Sequence, residues 1–189
     1  MLETNSARRC DWAKSEILEK YHDAEWGVFS LDPHLHFEQI CLSGLQAGLS
    51  WELILTKRPG LRKLFANFDY RLISQWPDDE AKKICQNGEG IRNIRKITAV
   101  LNNARAFSEL EDKHGNACEY AFRLIGEKVI KNAYSSWSDI PAYSDEAAIL
   151  SRAFRGAGFQ YFGPTIAYAY MQSVGFVDDH IIACFRKQL

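Results

Sequence analysis

The chain has 189 residues, 47% of them hydrophobic, and a formal net charge of −1, so it can bury a real core in one domain or two packed lobes and is not a uniformly basic nucleic-acid binder. No run approaches the roughly 18 apolar residues of a membrane span, and the polar start MLETNSARR lacks a signal-peptide core. The cysteines (10, 41, 85, 118, 184) are odd in number and scattered, which suits a reducing, cytoplasmic setting rather than a disulfide framework.

The segment 10–28 reads as a short helix with Ile17, Leu18 and Tyr21 on one face and Ser15 as its cap. Tyr21 and His22 are adjacent, so on a helix they serve different neighbourhoods. Asp32 and Pro33 supply a cap and first-turn proline for a helix running into Cys41. The stretch Leu35–Trp51 is the piece around which the rest is organised. It breaks at Gly44 and Gly48, then resumes at Trp51. Two glycines four residues apart, beside Leu49 and Trp51, make a bend where backbone can approach something closely. A pocket for a flat, stacked ligand needs such a bend. An ordinary helix–turn–helix corner with a buried tryptophan has the same pattern.

From Trp51 to Phe68 the pattern is helical, with Lys57, Arg58, Arg62 and Lys63 against Glu52 alone; Pro59 and Gly60 break it in two. Short helices follow at 69–76 and 78–85, then a turn, QNGEG, at 86–90. The segment 91–107 carries Ile91, Ile94, Ile97, Leu101 and Ala104 at near-helical spacing, and Arg92, Arg95, Lys96 and Arg105 with no acid. Helix, glycine-containing hairpin and a helix with a basic start outline a helix-hairpin-helix element, whose amides hold a DNA phosphate. A solvated amphipathic helix with a basic face fits the same residues. Beyond a polar turn at 112–116, helices are expected at 118–125 and 145–155, separated by a Ser/Pro/Tyr-rich connection at 135–144. The loop GAGFQYFGP then leads to an apolar stretch ending in His180 and Cys184. No alternating strand pattern appears, so the expected fold class is all-α.

His180 and Cys184 are four apart and on a helix share a face; Cys10 and His22 complete a possible closed Cys₂His₂ zinc site joining the two ends of the chain. The gap between Cys10 and His22 is not a zinc-finger spacing. No GxSxG, HExxH or P-loop is present.

Five strings, YHDAEWG (21–27), LQAGLSW (45–51), NNARAF (102–107), FGPTIAYAYMQSVG (162–175) and VDDH (177–180), resemble the DNA-3-methyladenine glycosylase I (Tag) family, in order and over nearly the whole chain. The resemblance implies a two-lobed, helix-hairpin-helix glycosylase fold in a single domain. The hairpin lobe would span roughly 50–135, and a terminal zinc lobe roughly 1–49 and 136–189. It implies an enzyme that binds damaged duplex DNA, flips out 3-methyladenine and hydrolyses its N-glycosidic bond without a lyase step. It is expected to act as a monomer on the nucleoid, with no membrane or protein partner. The family's zinc ligands fall on Cys10, His22, His180 and Cys184. Its base pocket falls on Tyr21, Trp51 and position 43, and the residues that enter the DNA gap on Gly48, Leu49 and Ser50; in this chain's own hairpin Gly90, Arg92, Arg95 and Lys96 are the expected DNA contacts.

Two departures stand out. Position 43, a pocket glutamate in the family, is Ser43, which offers a hydroxyl and no charge and leaves the catalytic residue unassigned. The hairpin reads GEGIRNIRKI, with Glu89 where phosphate should approach. Glu111 and Asp112 lie where related repair folds place a catalytic acid, and equally read as the polar end of a helix. Besides the glycosylase, two readings remain open: a damaged-DNA binder that has lost efficient excision, and a zinc-stapled interaction module that ignores DNA.

Overall fold

Polar caps followed by apolar-periodic runs set most of the helices. The computed structural model describes residues 8–87 and 89–187; the first seven residues of the polar start, and Gly88 in the expected 86–90 turn, lie outside the described residues. The helices are α1 (Glu16–Ala24), α2 (Pro33–Gln46), α3 (Trp51–Leu64), α4 (Tyr70–Ser74), α5 (Glu80–Gln86), α6 (Ile94–His114), α7 (Ala117–Leu124), α8 (Asp145–Gly156) and α9 (Pro164–Ser173). Asp32 accepts from His34 N–H at 3.0 Å with Pro33 at the first helical position, as its sequence suggests. Ser50, Asp69, Asn93, Asn116 and Ser144 cap α3, α4, α6, α7 and α8 in the same way. Ser15 stands at the cap position of α1 without a side-chain bond.

Helix α2 is the central element, buried from His36 through Leu45 and packed against α3, α6, α7 and α9. Burial on all sides explains why Gly44 does not break it, contrary to the sequence expectation. The helix continues to Gln46, and Tyr161 packs where a Gly44 side chain would stand. Tertiary contacts there outweigh glycine's penalty of about 1 kcal/mol. Pro59 and Gly60 likewise fail to divide α3. Pro59 lies on the exposed side, so the one lost backbone bond is offset by burial of Ile54, Leu55, Arg58 and Leu61 opposite.

Two further expectations are corrected. A minimal parallel pair joins β1 (Ile130–Lys131) to β2 (Val177–Asp178), Ile130 opposite Val177, so the fold is mostly rather than wholly helical. The residues after β2, including His180 and Cys184, are not a helix; irregular turns carry them.

A main core gathers Phe37, Leu42, Phe65, Phe107, Phe154, Tyr170 and their neighbours from α2 through α9. A second, smaller cluster of Cys10, Tyr21, Trp26, Leu55, Ile181 and Cys184 joins the N-terminal segment to the segment after α9, and Trp51 packs against both cores. Among the described residues no helix is long and apolar enough to cross a membrane.

Candidate functional site

The bend after α2 is fixed by Gly48, whose φ of +77° is one that L side chains rarely adopt. Leu49 donates its N–H to Gln46 O at 2.6 Å, Ser50 caps α3 through Leu53 N–H, and Leu49 is left half-buried at the tip. Lys96 locks the bend from α6, donating from Nζ to Leu45 O at 2.7 Å and to Ala47 O at 2.5 Å. A cation suits the C-terminal end of α2, and burial lowers the lysine's pKa. Lys96, expected at the DNA surface, is 7% exposed and holds the loop, while also lining a wider hollow beyond Leu49.

Behind the bend, Trp51 opens α3 and meets Tyr21 edge-on, 5.3 Å between ring centroids. Trp12, Tyr21, Trp26, Trp51 and Trp137 wall a cavity of about 180 Å³ whose polar edge comes from Ser43, Gln46, Gln172 and Ser173. Tyr21, Trp51 and Ser43, assigned to the pocket in sequence, thus share one cavity. Trp12, Trp26, Trp137, Gln46 and Gln172 were missed. The available signal was composition: four of the chain's five tryptophans line this space. The volume slightly exceeds the roughly 150 Å³ of an apolar cavity that admits benzene, which suits one flat heterocycle.

Among the described residues no carboxylate lines this cavity. Glu38, one turn before Ser43, is committed elsewhere: Arg58 Nε donates to its Oε1 at 2.8 Å and Arg62 makes a two-pronged contact at 2.7 and 3.0 Å. Burial alone would raise the Glu38 pKa, but bonds from Arg62 and Arg58 hold it below the usual value. Arg58 also donates to Glu25 at 2.6 Å. Burial, with a smaller push from Glu25, raises the Tyr21 phenol, so it stays neutral.

A second, wider hollow of about 560 Å³ opens on the other side of Leu49, lined by Leu53, Lys57, Gly90, Arg92 and Asn93. Here the hairpin delivers the chain into the N-terminus of α6, where Asn93 accepts from Lys96 N–H at 3.3 Å. Arg92 and Arg95 are exposed beside it. Glu89 lies 3.9 Å from Lys63, a loose surface pair that offsets part of its charge. The hollow thus sets a helix N-terminus beside two guanidinium groups that have no ion-pair partner among the described residues, an arrangement suited to an anion.

At the other edge of the small core, the ligand atoms of Cys10, His22 and Cys184 all lie within 4.8 Å of one another, with Cys184 Sγ 3.3 Å from His22 Nε2. His180 stands outside that grouping, its ring centroid 5.2 Å from that of His22. Its Nε2 is buried without a hydrogen-bond partner among the described residues. Asp23 bonds His22 Nδ1 at 2.8 Å and Asp178 bonds His180 Nδ1 at 2.9 Å. Carboxylates behind imidazoles are the usual outer support of ligating histidines. Two sulfurs and two imidazoles match a closed zinc site. Burial lifts the Cys10 thiol, helped by Cys184, a cost a bound cation would reverse. Gly27 is required here, because a side chain would stand 2.7 Å from His180 Cε1.

The suggested acid at Glu111 or Asp112 is not near either cavity's lining. Glu111 is buried and structural, accepting from Ala117 N–H at 2.6 Å and Tyr70 OH at 3.3 Å.

A family profile described as methyladenine glycosylase matches residues 12–187. DNA-3-methyladenine glycosylase 1 of Escherichia coli is 34% identical over 177 residues, covering 93% of this chain and 95% of that protein. DNA-3-methyladenine glycosylase of Haemophilus influenzae is 36% identical over 177 residues, with 93% and 96% covered. A crystal structure of 3-methyladenine DNA glycosylase I superposes with a TM-score of 0.92 at 35% identity, covering 96% of this chain and 100% of that one.

Proposed function

Because this chain belongs to the methyladenine glycosylase family, we propose that it is a monofunctional base-excision DNA glycosylase that hydrolyses the N-glycosidic bond of an alkylated purine, 3-methyladenine foremost. The observation that carries this reading is the tryptophan-walled cavity of about 180 Å³ set directly behind the Gly48–Leu49–Ser50 bend. Leu49 enters the duplex at the lesion, while Arg92, Arg95 and the α6 N-terminus hold the backbone. The displaced nucleotide rotates into the cavity, where Trp51 and Tyr21 receive the base.

Methylation at N3 makes the purine cationic, so π faces favour it over an unmodified base. The C1′–N9 bond breaks with its electron pair moving to a base that leaves neutral. Water then supplies hydroxide to C1′ and a proton to solvent. Such a leaving group needs little general-acid help, which agrees with a lining that contains no carboxylate. A structural zinc would be held by Cys10, His22 and Cys184, with His180 beside them as the fourth ligand, and would fasten the N-terminal segment carrying Trp12, Tyr21 and Trp26 to the segment after β2. The protein acts as a monomer on duplex DNA in the cytoplasm.

Ser43 favours one alternative, a damaged-DNA binder with weak excision, since a hydroxyl replaces a charge-complementing carboxylate in the pocket. A single-turnover release assay on methylated duplex DNA, comparing wild type with Ser43→Glu, separates them. Wild-type release of 3-methyladenine supports the enzyme. Release only from Ser43→Glu supports the diverged binder, and release from neither protein refutes the excising reading.

A further inference from the structure

Gln172 lies on α9, is 7% exposed, and lines both the tryptophan-walled cavity and a neighbouring hollow of about 170 Å³ beside Trp137, Ile140 and Thr165. Its Nε2 donates to Asp179 Oδ2 at 2.7 Å. That carboxylate is fully buried and also takes Tyr168 OH on Oδ2 at 2.6 Å and Asn132 Nδ2 on Oδ1 at 2.8 Å. A carboxylate can only accept, so it fixes which end of the glutamine amide faces it: the NH₂ is spent, and the carbonyl oxygen is the end that remains. Among the described residues nothing donates to Gln172 Oε1, and it is not one of the fully enclosed unpartnered atoms. The carbonyl oxygen is therefore the acceptor left to the open volumes that Gln172 borders, of which the tryptophan-walled cavity is the one sized for a flat base. No other hydrogen-bonding group on this wall is held by a buried charge: Ser173 Oγ donates back to Tyr170 O at 2.8 Å.

Resting on the glycosylase reading above, we propose that Gln172 is the residue that reads the base edge. Its carbonyl oxygen accepts from the exocyclic amino group of a 6-aminopurine, with Asp179 as the positioning residue that sets the amide's direction. The substrate class is thereby narrowed to N-alkylated purines that carry an amino donor. A neutral acceptor in a desolvated pocket discriminates mainly by what is left unpaired: a base without the donor strands the oxygen against carbon. Asp179 does not touch the base; its effect passes through Gln172.

The test uses free bases and tryptophan quenching, with single-turnover release as a second readout. Wild type should bind 3-methyladenine at least about tenfold more tightly than 3-methylpurine, which lacks the amino group, in line with one buried hydrogen bond. Gln172→Met should bring that ratio close to one while leaving affinity for an abasic duplex in place. Asp179→Asn lets the paired amides turn over and should lower the same ratio, whereas a merely structural role would lower the melting temperature without changing base preference. Equal wild-type binding of the two bases overturns the assignment without any variant, as does a Gln172→Met protein that keeps the preference. A wild type that binds and releases 3-methyladenine but does not discriminate leaves the glycosylase reading standing and removes only this one. A wild type that neither binds nor releases it overturns both.

Discussion

Lys96 anchors the 47–50 loop that is proposed to meet DNA. Replacing it by methionine keeps the stem and removes the ammonium from Leu45 O and Ala47 O. Leu45 is buried and Ala47 half-buried, so one carbonyl loses its only cation while the other gains partial access to water. Each stranded buried acceptor costs about 1–3 kcal/mol. The lysine's own unfavourable burial, seen in its lowered pKa, is relieved at the same time. The net expectation is about 2 kcal/mol, or a fall in melting temperature of about 4–8 °C for a chain of this size. The 47–50 bend loses its anchor, so lesion-dependent excision should fall severalfold more than affinity for undamaged duplex. The assay is affinity against salt concentration, run beside thermal melting. A direct phosphate contact contributes about 0.9 to the slope of log K on log salt. Lys96→Met should leave that slope unchanged, and Arg92→Ala should reduce it by about one contact. A Lys96→Met protein with unaltered melting and a slope reduced by about 0.9 would refute the anchoring argument and return Lys96 to the DNA surface.

Trp51→Ala should weaken base capture by about 10- to 100-fold, the worth of one stacked base at about 1–3 kcal/mol, while abasic-duplex affinity changes little. The reverse pattern, poor abasic binding with normal excision, would sink the pocket assignment. Cys184→Ser, or treatment with a strong chelator, should release zinc and lower the melting temperature by at least about 5 °C; metal analysis that finds no zinc in the purified protein, with melting unchanged by the substitution, would remove the site. His36 is fully buried between Tyr170 OH and Ser30 O, and burial lowers its pKa from 6.5 to about 4. Above pH 6.5 neither state carries the proton and the shift has no effect. As pH falls from 6.5 to about 4 the unfolded chain gains a proton that the folded one resists, at a full cost of about 3 kcal/mol. His36→Gln should flatten stability against pH in that window, and parallel curves for the two proteins would show that His36 is not responsible.

The helices were legible where a cap met a periodic run. Asp32–Pro33, Ser50 and Asn93 each begin an element at the position their chemistry dictates. Gly44 and Pro59 misled because local propensity is a preference of about 1–3 kcal/mol, and burying the rest of α2 and one side of α3 exceeds it. The spacing of His180 and Cys184 suggested a helix face, yet turns after β2 bring the cysteine to His22. Tyr21, Trp51 and Ser43 were identified through family strings. Trp12 and Trp137 come from segments far apart in the chain, and no periodicity states which rings meet across such distances. Lys96 turns inward while its neighbours Arg92 and Arg95 stay exposed, a difference that a run of cations does not reveal.

The joining of the chain's two ends bears on when the protein becomes competent during its synthesis. Trp12, Tyr21 and Trp26 leave the ribosome long before the groups that pack behind them, His180, Ile181 and Cys184. Contacts of such long sequence separation form late in folding. A nascent chain therefore carries a cluster of bare indoles through most of translation, the kind of surface that chaperones bind and that invites aggregation. A chain stopped before α9 would lack Ala169, Gln172 and Ser173 and so could not complete the cavity.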